Sequence, residues 1–121
     1  MKKVSIAITA AIFASAPSVA AAPDWWMVSG GPGESSVQFV DAASIQKASS
    51  SVSFDVATYW SNGRQMERQL TMRCDEKPTN ATYADMWKFA CGSDKIRMSS
   101  GLKLGPTEPE WLAKTMFSMP A

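Results

Sequence analysis

From residue 25 onward the chain is dominated by short runs in which apolar and polar positions alternate, separated by turn-forming residues. Ser51 to Trp60 shows this most cleanly. Val52, Phe54, Val56, Thr58 and Trp60 fall on one side, and Ser51, Ser53, Asp55 and Ala57 on the other. A period of two over ten residues predicts a strand with one buried face. Asn62-Gly63 follows, the favoured pair for a two-residue type I′ hairpin turn, in which both positions need φ > 0. The partner strand then runs from about Arg64 to Cys74, with Met66, Leu70, Met72 and Cys74 in its apolar row and Arg68 interrupting that row near the sheet rim. Before this hairpin, Trp25 to Val28 reads as an apolar first strand, stopped by Ser29-Gly30-Gly31-Pro32-Gly33. That loop has glycines but neither the Lys-Ser/Thr nor the helix of a phosphate cradle, so it predicts a turn.

Further along, Ser36 to Val40 alternates, with Val37 and Phe39 on one face. Asp41 to Ala48 reads as a polar corner or single helical turn. Ile45 points back to the core there, and Asp41 and Ser44 are placed to bond neighbouring backbone N–H groups. After a polar loop containing Pro78, Tyr83 to Cys91 alternates again through Tyr83, Trp87, Phe89 and Cys91. Gly92-Ser93-Asp94 turns the chain, and Lys95 to Ser100 returns with Ile96 and Met98 inward. Thr107-Glu108-Pro109-Glu110 then predicts a helix start, with Thr107 as N-cap and Glu110 completing a capping box. Trp111, Leu112, Thr115, Met116 and Met119 form its apolar stripe. A helix of about ten residues is marginal alone, so it must dock on the sheet. The expectation is an α+β fold, mainly β: an antiparallel meander of about six strands with a C-terminal helix packed on it.

The first residues carry a different pattern. Met1-Lys2-Lys3 is followed by an uncharged, largely apolar run from Val4 to Ala16 and by small residues up to Ala22. This is the layout of a secretory signal peptide, and the run is shorter than the roughly 20 residues a membrane span needs. Cutting after Ala20 or Ala21 keeps small residues at −3 and −1, whereas cutting after Ala22 would leave Pro23 at +1. No Cys stands at the cleavage position, so no lipid anchor is expected. The division is therefore a leader over residues 1–21 and one small domain over 22–121. A periplasmic, secreted or cell-surface location follows, with no membrane anchor after cleavage.

Composition narrows the chemistry. Losing Lys2 and Lys3 turns twelve Lys+Arg against eleven Asp+Glu into ten against eleven. A near-neutral chain without a basic cluster is a poor ligand for nucleic acid. The chain has no histidine, which removes the usual general base, the Ser-His and Cys-His pairs and the commonest zinc ligand. No catalytic, cofactor-binding or metal-ligating residue is assigned. The serine clusters Ser49-Ser50-Ser51 and Ser99-Ser100 lack any nucleophile setting. The acidic neighbours Asp75-Glu76 and Glu108 with Glu110 read as loop and helix start. The methionines are scattered at strand and helix spacing, as core filling rather than a copper site.

Cys74 and Cys91 predict one disulfide. As ends of hairpin neighbours they would lie far apart, yet bridging needs Cα atoms within about 7 Å. Either the segment before Trp87 is mostly loop, or the two strands are not adjacent. Five tryptophans are many for this length. Trp60, Trp87 and Trp111 sit on apolar faces and read as core. Trp25 and Trp26 must point to opposite sides of their strand, so one of them is the candidate for a binding surface.

Several stretches together resemble the surface-adhesin protein E-like domain family. They are the Trp-rich first strand, Val37-Gln38-Phe39-Val40-Asp41-Ala42-Ala43-Ser44-Ile45, the strand Val52 to Trp60, and Trp87-Lys88-Phe89-Ala90-Cys91 followed by Lys95-Ile96-Arg97. The resemblance implies a small antiparallel sheet with a C-terminal helix, extracellular display or periplasmic residence, and binding of host matrix or envelope proteins. The expected function is that of an exported, non-enzymatic binding protein without cofactor. The alternatives are a periplasmic inhibitor of a lysozyme-like enzyme, or a structural envelope protein that self-associates through an exposed strand edge.

Overall fold

The computed structural model describes residues 22–120. The expected leader lies outside them. The elements follow in order: β1 (Trp25–Ser29), β2 (Ser36–Ala48), β3 (Ser51–Trp60), β4 (Gln65–Arg73), α1 (Ala81–Cys91), α2 (Asp94–Ser100), β5 (Leu102–Lys103) and α3 (Pro109–Phe117). The five strands form one antiparallel sheet in the order β4-β3-β2-β1-β5. This is the expected mainly-β α+β architecture with a terminal helix on the sheet.

The sheet is covered on both faces, which the meander reading did not anticipate. On one face Val28, Val40, Val52, Phe54 and Val56 meet Met86, Phe89 and Ala90 of α1. On the other, Val37, Phe39 and Ala57 meet Leu104 and Ala113, with Leu112 and Phe117 of α3 packed around them. Adjacent residues Val56 and Ala57 belong to opposite cores, as alternation along a strand demands. Phe39, Phe54 and Phe89 are fully buried.

Two segments expected as strands are helices. Asn80 caps α1, its side-chain oxygen accepting from the Tyr83 N–H at 3.1 Å. Met86, Phe89 and Ala90 then fall at the three- and four-residue spacing of one helix face. Tyr83 and Trp87 are four apart, so they satisfy a period of two and a helical turn equally well. Ser93 caps α2 by accepting from the Ile96 N–H at 3.4 Å. Ile96 and Met98, expected inward, are exposed. Helix α3 starts one residue later than expected, with Glu108 as N-cap, no side-chain cap bond and Pro109 in its first turn. Met66, Met98 and Met119 are exposed and do not fill the core; Met86 does.

The helical α1 also removes the cysteine conflict. Cys74 follows the end of β4 and Cys91 ends a helix that runs across the sheet face, so the Cα atoms come within 5.6 Å and the disulfide closes. Trp87 ties the same corner by donating its indole N–H to the Arg73 carbonyl at 2.9 Å.

The β3–β4 hairpin differs from the type I′ expectation. Its loop has three residues. The Trp60 N–H donates to the Arg64 carbonyl at 2.9 Å and the Gly63 N–H to the Trp60 carbonyl at 3.0 Å. Within the loop, Gly63 alone takes positive φ (94°), and Asn62 Oδ1 accepts from the Arg64 N–H at 3.0 Å. A three-residue loop with glycine in the left-handed region uses the same Asn-Gly pair in another way.

The polar corner at Asp41 is a wide bulge within β2, where the register jumps between Asp41↔Asp55 and Gln46↔Ser53. Asp41, 8% exposed, accepts from the Asp24 N–H at 2.7 Å and the Ala43 N–H at 3.0 Å. Ser44 donates to the Asp41 carbonyl at 2.7 Å and accepts from the Asp55 N–H at 2.8 Å. Asp41 thus bonds a neighbouring backbone N–H as expected, whereas Ser44 reaches the Asp41 carbonyl and an N–H of the facing strand; Ile45 packs against the α1-side core. Asp41→Ala leaves two backbone donors without their acceptor, so it should cost about 1–3 kcal/mol in urea unfolding. Asp41→Asn keeps one acceptor oxygen and should cost less; equal losses would mean the carboxylate does not hold the bulge.

Candidate functional site

Sheet pairing and helix docking converge at one corner of the molecule. Tyr59 lies on the α3-side face of β3, its ring edge-on to Phe39 at 5.7 Å between centroids. The register sets Tyr59 opposite Gln65 and Ala57 opposite Glu67, so Gln65 and Glu67 share that face. Helix α3 docks on the same face through Ala113. Its first turn brings Glu108, Glu110 and Trp111 over β3 and β4. Tyr59, Gln65, Glu67, Glu108, Glu110 and Trp111, with Lys114, line a groove of about 460 Å³. A second recess of about 330 Å³ adjoins it through Tyr59, Gln65, Glu110 and Lys114.

The groove is aromatic and acidic. Trp111 is 63% exposed, which overturns its assignment to the core. Its neighbours on the helix, Leu112 and Ala113, take the inward positions instead. Burial raises the Tyr59 phenol above its ordinary value near 10, and the charges of Glu67, Glu110 and Glu108 raise it further. The three carboxylates therefore share one electrostatic field although they come from two elements. Lys114 is held by Glu110 at 3.0 Å, and the Arg64 guanidinium lies 4.5 Å over the Trp60 ring. A phenol whose folded pKa is raised binds its proton more tightly in the folded state. Its contribution to stability is present below pH 10 and is lost as pH rises through the folded pKa. Tyr59→Phe should flatten that alkaline decline in a pH series of thermal melts, and an unchanged decline would show that Tyr59 does not cause it.

Carboxylates in the first turn of a helix stabilise the helix itself, which accounts for Glu108 and Glu110. It does not account for Glu67 on β4, nor for an indole left in solvent. Among the described residues, no three His, Cys, Asp or Glu side chains gather closely enough to hold a metal ion. The arrangement suits an organic cation: carboxylates for charge and hydrogen bonds, aromatic faces for its apolar and cationic parts.

The free edge of the sheet borders this groove. Two backbone bonds fix the phase of the β3–β4 ladder: Trp60 N–H to the Arg64 carbonyl, and Cys74 N–H to the Ser50 carbonyl at 2.7 Å. Bonding alternates along an antiparallel pair. The even-numbered residues of β4 thus face β3, and the backbone groups of Gln65, Glu67, Gln69, Thr71 and Arg73 point off the sheet. Trp87 takes the Arg73 carbonyl. On the opposite face of the edge, Arg68 donates to the Tyr83 hydroxyl at 2.8 Å, between Met66 and Leu70.

The two tryptophans chosen from sequence do point to opposite faces, and each packs against one of the two cores. Both are half-buried. Trp25 joins the α3-side core. Trp26 packs on Phe89 with ring centroids 5.4 Å apart and lines a separate groove of about 400 Å³ with Asp24, Ala42, Arg97, Met98 and Lys103. Its indole nitrogen is buried and has no hydrogen-bond partner among the described residues. The acidic-aromatic corner went unseen in the sequence. Glu108 and Glu110 were visible as a pair, but their meeting with Glu67 and Tyr59 is purely tertiary. Comparison with known proteins gave no matching family model, no matching curated protein and no matching solved structure.

Proposed function

We propose that this chain is an exported, non-enzymatic protein-binding module of the bacterial envelope or cell surface, in keeping with its resemblance to adhesin-E-like domains, and that it docks through the corner formed by β4 and the start of α3. One observation carries the reading: a tryptophan 63% in solvent stands beside a second aromatic and three carboxylates at an open sheet edge. Exposed Trp and Tyr in a concave setting are the residue types on which binding energy concentrates. The Cys74–Cys91 disulfide supports passage through an oxidising compartment, and none of the described helices is long and apolar enough to cross a membrane.

The test is comparative capture from envelope extract and from host matrix, with captured proteins identified by mass spectrometry. Trp111→Ala should leave thermal stability within about 0.5 kcal/mol, as surface changes do. It should nonetheless abolish most of the capture seen with the unaltered protein, and Trp26→Ala should not. If Trp26→Ala removes the partner and Trp111→Ala does not, the docking surface belongs at the Trp26 groove.

A further inference from the structure

We infer that the occupant of this corner is an extended segment of a partner protein that adds to β4 as a further strand, carrying Lys or Arg at alternate positions with apolar residues between them. The inference rests on the binding reading above and adds the partner's chemistry and its mode of docking.

The backbone supplies the first half. Gln65, Glu67, Gln69 and Thr71 each turn one N–H and one C=O off the sheet, and the described sheet order ends at β4. An added antiparallel or parallel strand would lie about 4.8 Å beyond and pair with these groups. The side chains supply the second half. Residues of the new strand alternate between faces. Those beside Gln65 and Glu67 project on the α3 side, within reach of Glu67, Glu108, Glu110, Tyr59 and Trp111. A long cationic side chain there lays its methylenes on the aromatic rings and its charge among the carboxylates. Residues on the other face meet Met66, 39% exposed, and the half-buried Leu70, which favour apolar neighbours.

Charge complementarity selects this occupant over a second copy of the chain. A second β4 would place only Glu67 and Arg73 as charges on the α3-side face. Arg73 is already held by Asp75 at 2.7 Å, so a copy would add an acid to an acidic surface. A second β4 would also bring its own Arg68 to the face that already carries Arg68, a like-charge pairing that the proposed occupant avoids.

The experiment uses the purified protein with capped peptides of about eight residues. One alternates Lys with Val, one alternates Glu with Val, and one has the Lys and Val in two blocks. The alternating Lys peptide should bind, and binding should weaken about tenfold with Glu67→Gln/Glu110→Gln and fall with added salt. Amide exchange at Gln65, Glu67, Gln69 and Thr71 should slow at least tenfold in the complex. Binding of all three peptides alike, binding without protection of those amides, or no binding at all would each overturn the inference. So would sedimentation of the protein as a dimer with those amides already protected. If the peptides fail but Trp111-dependent capture of an envelope or matrix protein persists, the binding reading stands and the strand-addition chemistry is wrong.

Discussion

Phe89→Ala is expected to lower stability by about 3–5 kcal/mol, a large share of the roughly 5–15 kcal/mol a folded domain possesses. Phe89 is fully buried on α1. It packs against Trp26, lies 5.4 Å beneath the Arg97 guanidinium, and sits so close to Gly101 that a Cβ there would meet its ring at 2.9 Å. The cavity left by truncation is thus walled by a helix, a strand and a glycine turn, none of which can collapse freely. Thermal unfolding reads the effect at roughly 4–8 °C per kcal/mol. Met98→Ala, at a position 74% exposed, is the control and should change stability by no more than about 0.5 kcal/mol. The pair also separates two folds. If residues 94–100 formed an inward-facing strand, Met98→Ala would cost as much as other core truncations.

Reducing the disulfide should cost about 3 kcal/mol. The bond joins residues separated by 17 positions, and closing a loop of that length restricts the unfolded chain by about that amount. The native effect should be local, because the Trp87 indole already fastens α1 to the end of β4. Cys74→Ser/Cys91→Ser should therefore retain a cooperative transition at a lower urea midpoint, with a steeper slope because the unfolded chain without the cross-link exposes more surface. The same midpoint with and without reductant would mean that the cross-link constrains nothing the fold has not already fixed.

The legible part of this chain was the part whose physics is local. Ser51–Trp60 alternates because one face packs into the α1-side core through Val52, Phe54 and Val56, and Asn62-Gly63 marks a reversal whichever loop geometry is used. The α1 segment misleads because Tyr83, Trp87 and Cys91 are spaced by four, and four is both two strand periods and about one helical turn. Its decisive signal was the cap: Asn80 followed by Met86, Phe89 and Ala90 at helical spacing. In α3 the inward stripe runs through Leu112, Ala113 and Phe117, one position beyond the expected one, and Trp111 faces solvent although a large indole is ordinarily buried. The candidate corner could not have been read at all. Glu67 and Tyr59 meet Glu108 and Glu110 through a strand register and a docking geometry separated by some forty residues of chain, and no local pattern encodes either.

The placement of α3 has a consequence for biosynthesis. The layer that shields Val37, Phe39 and Ala57 is built from Leu104, Leu112, Ala113 and Phe117, which come later in the chain than every strand position they cover. A nascent chain emerging vectorially from a ribosome or a translocation channel must present that oily patch to its surroundings until residues 104–117 have followed. Products that stop short of residue 104 would be natural clients for chaperones and proteases.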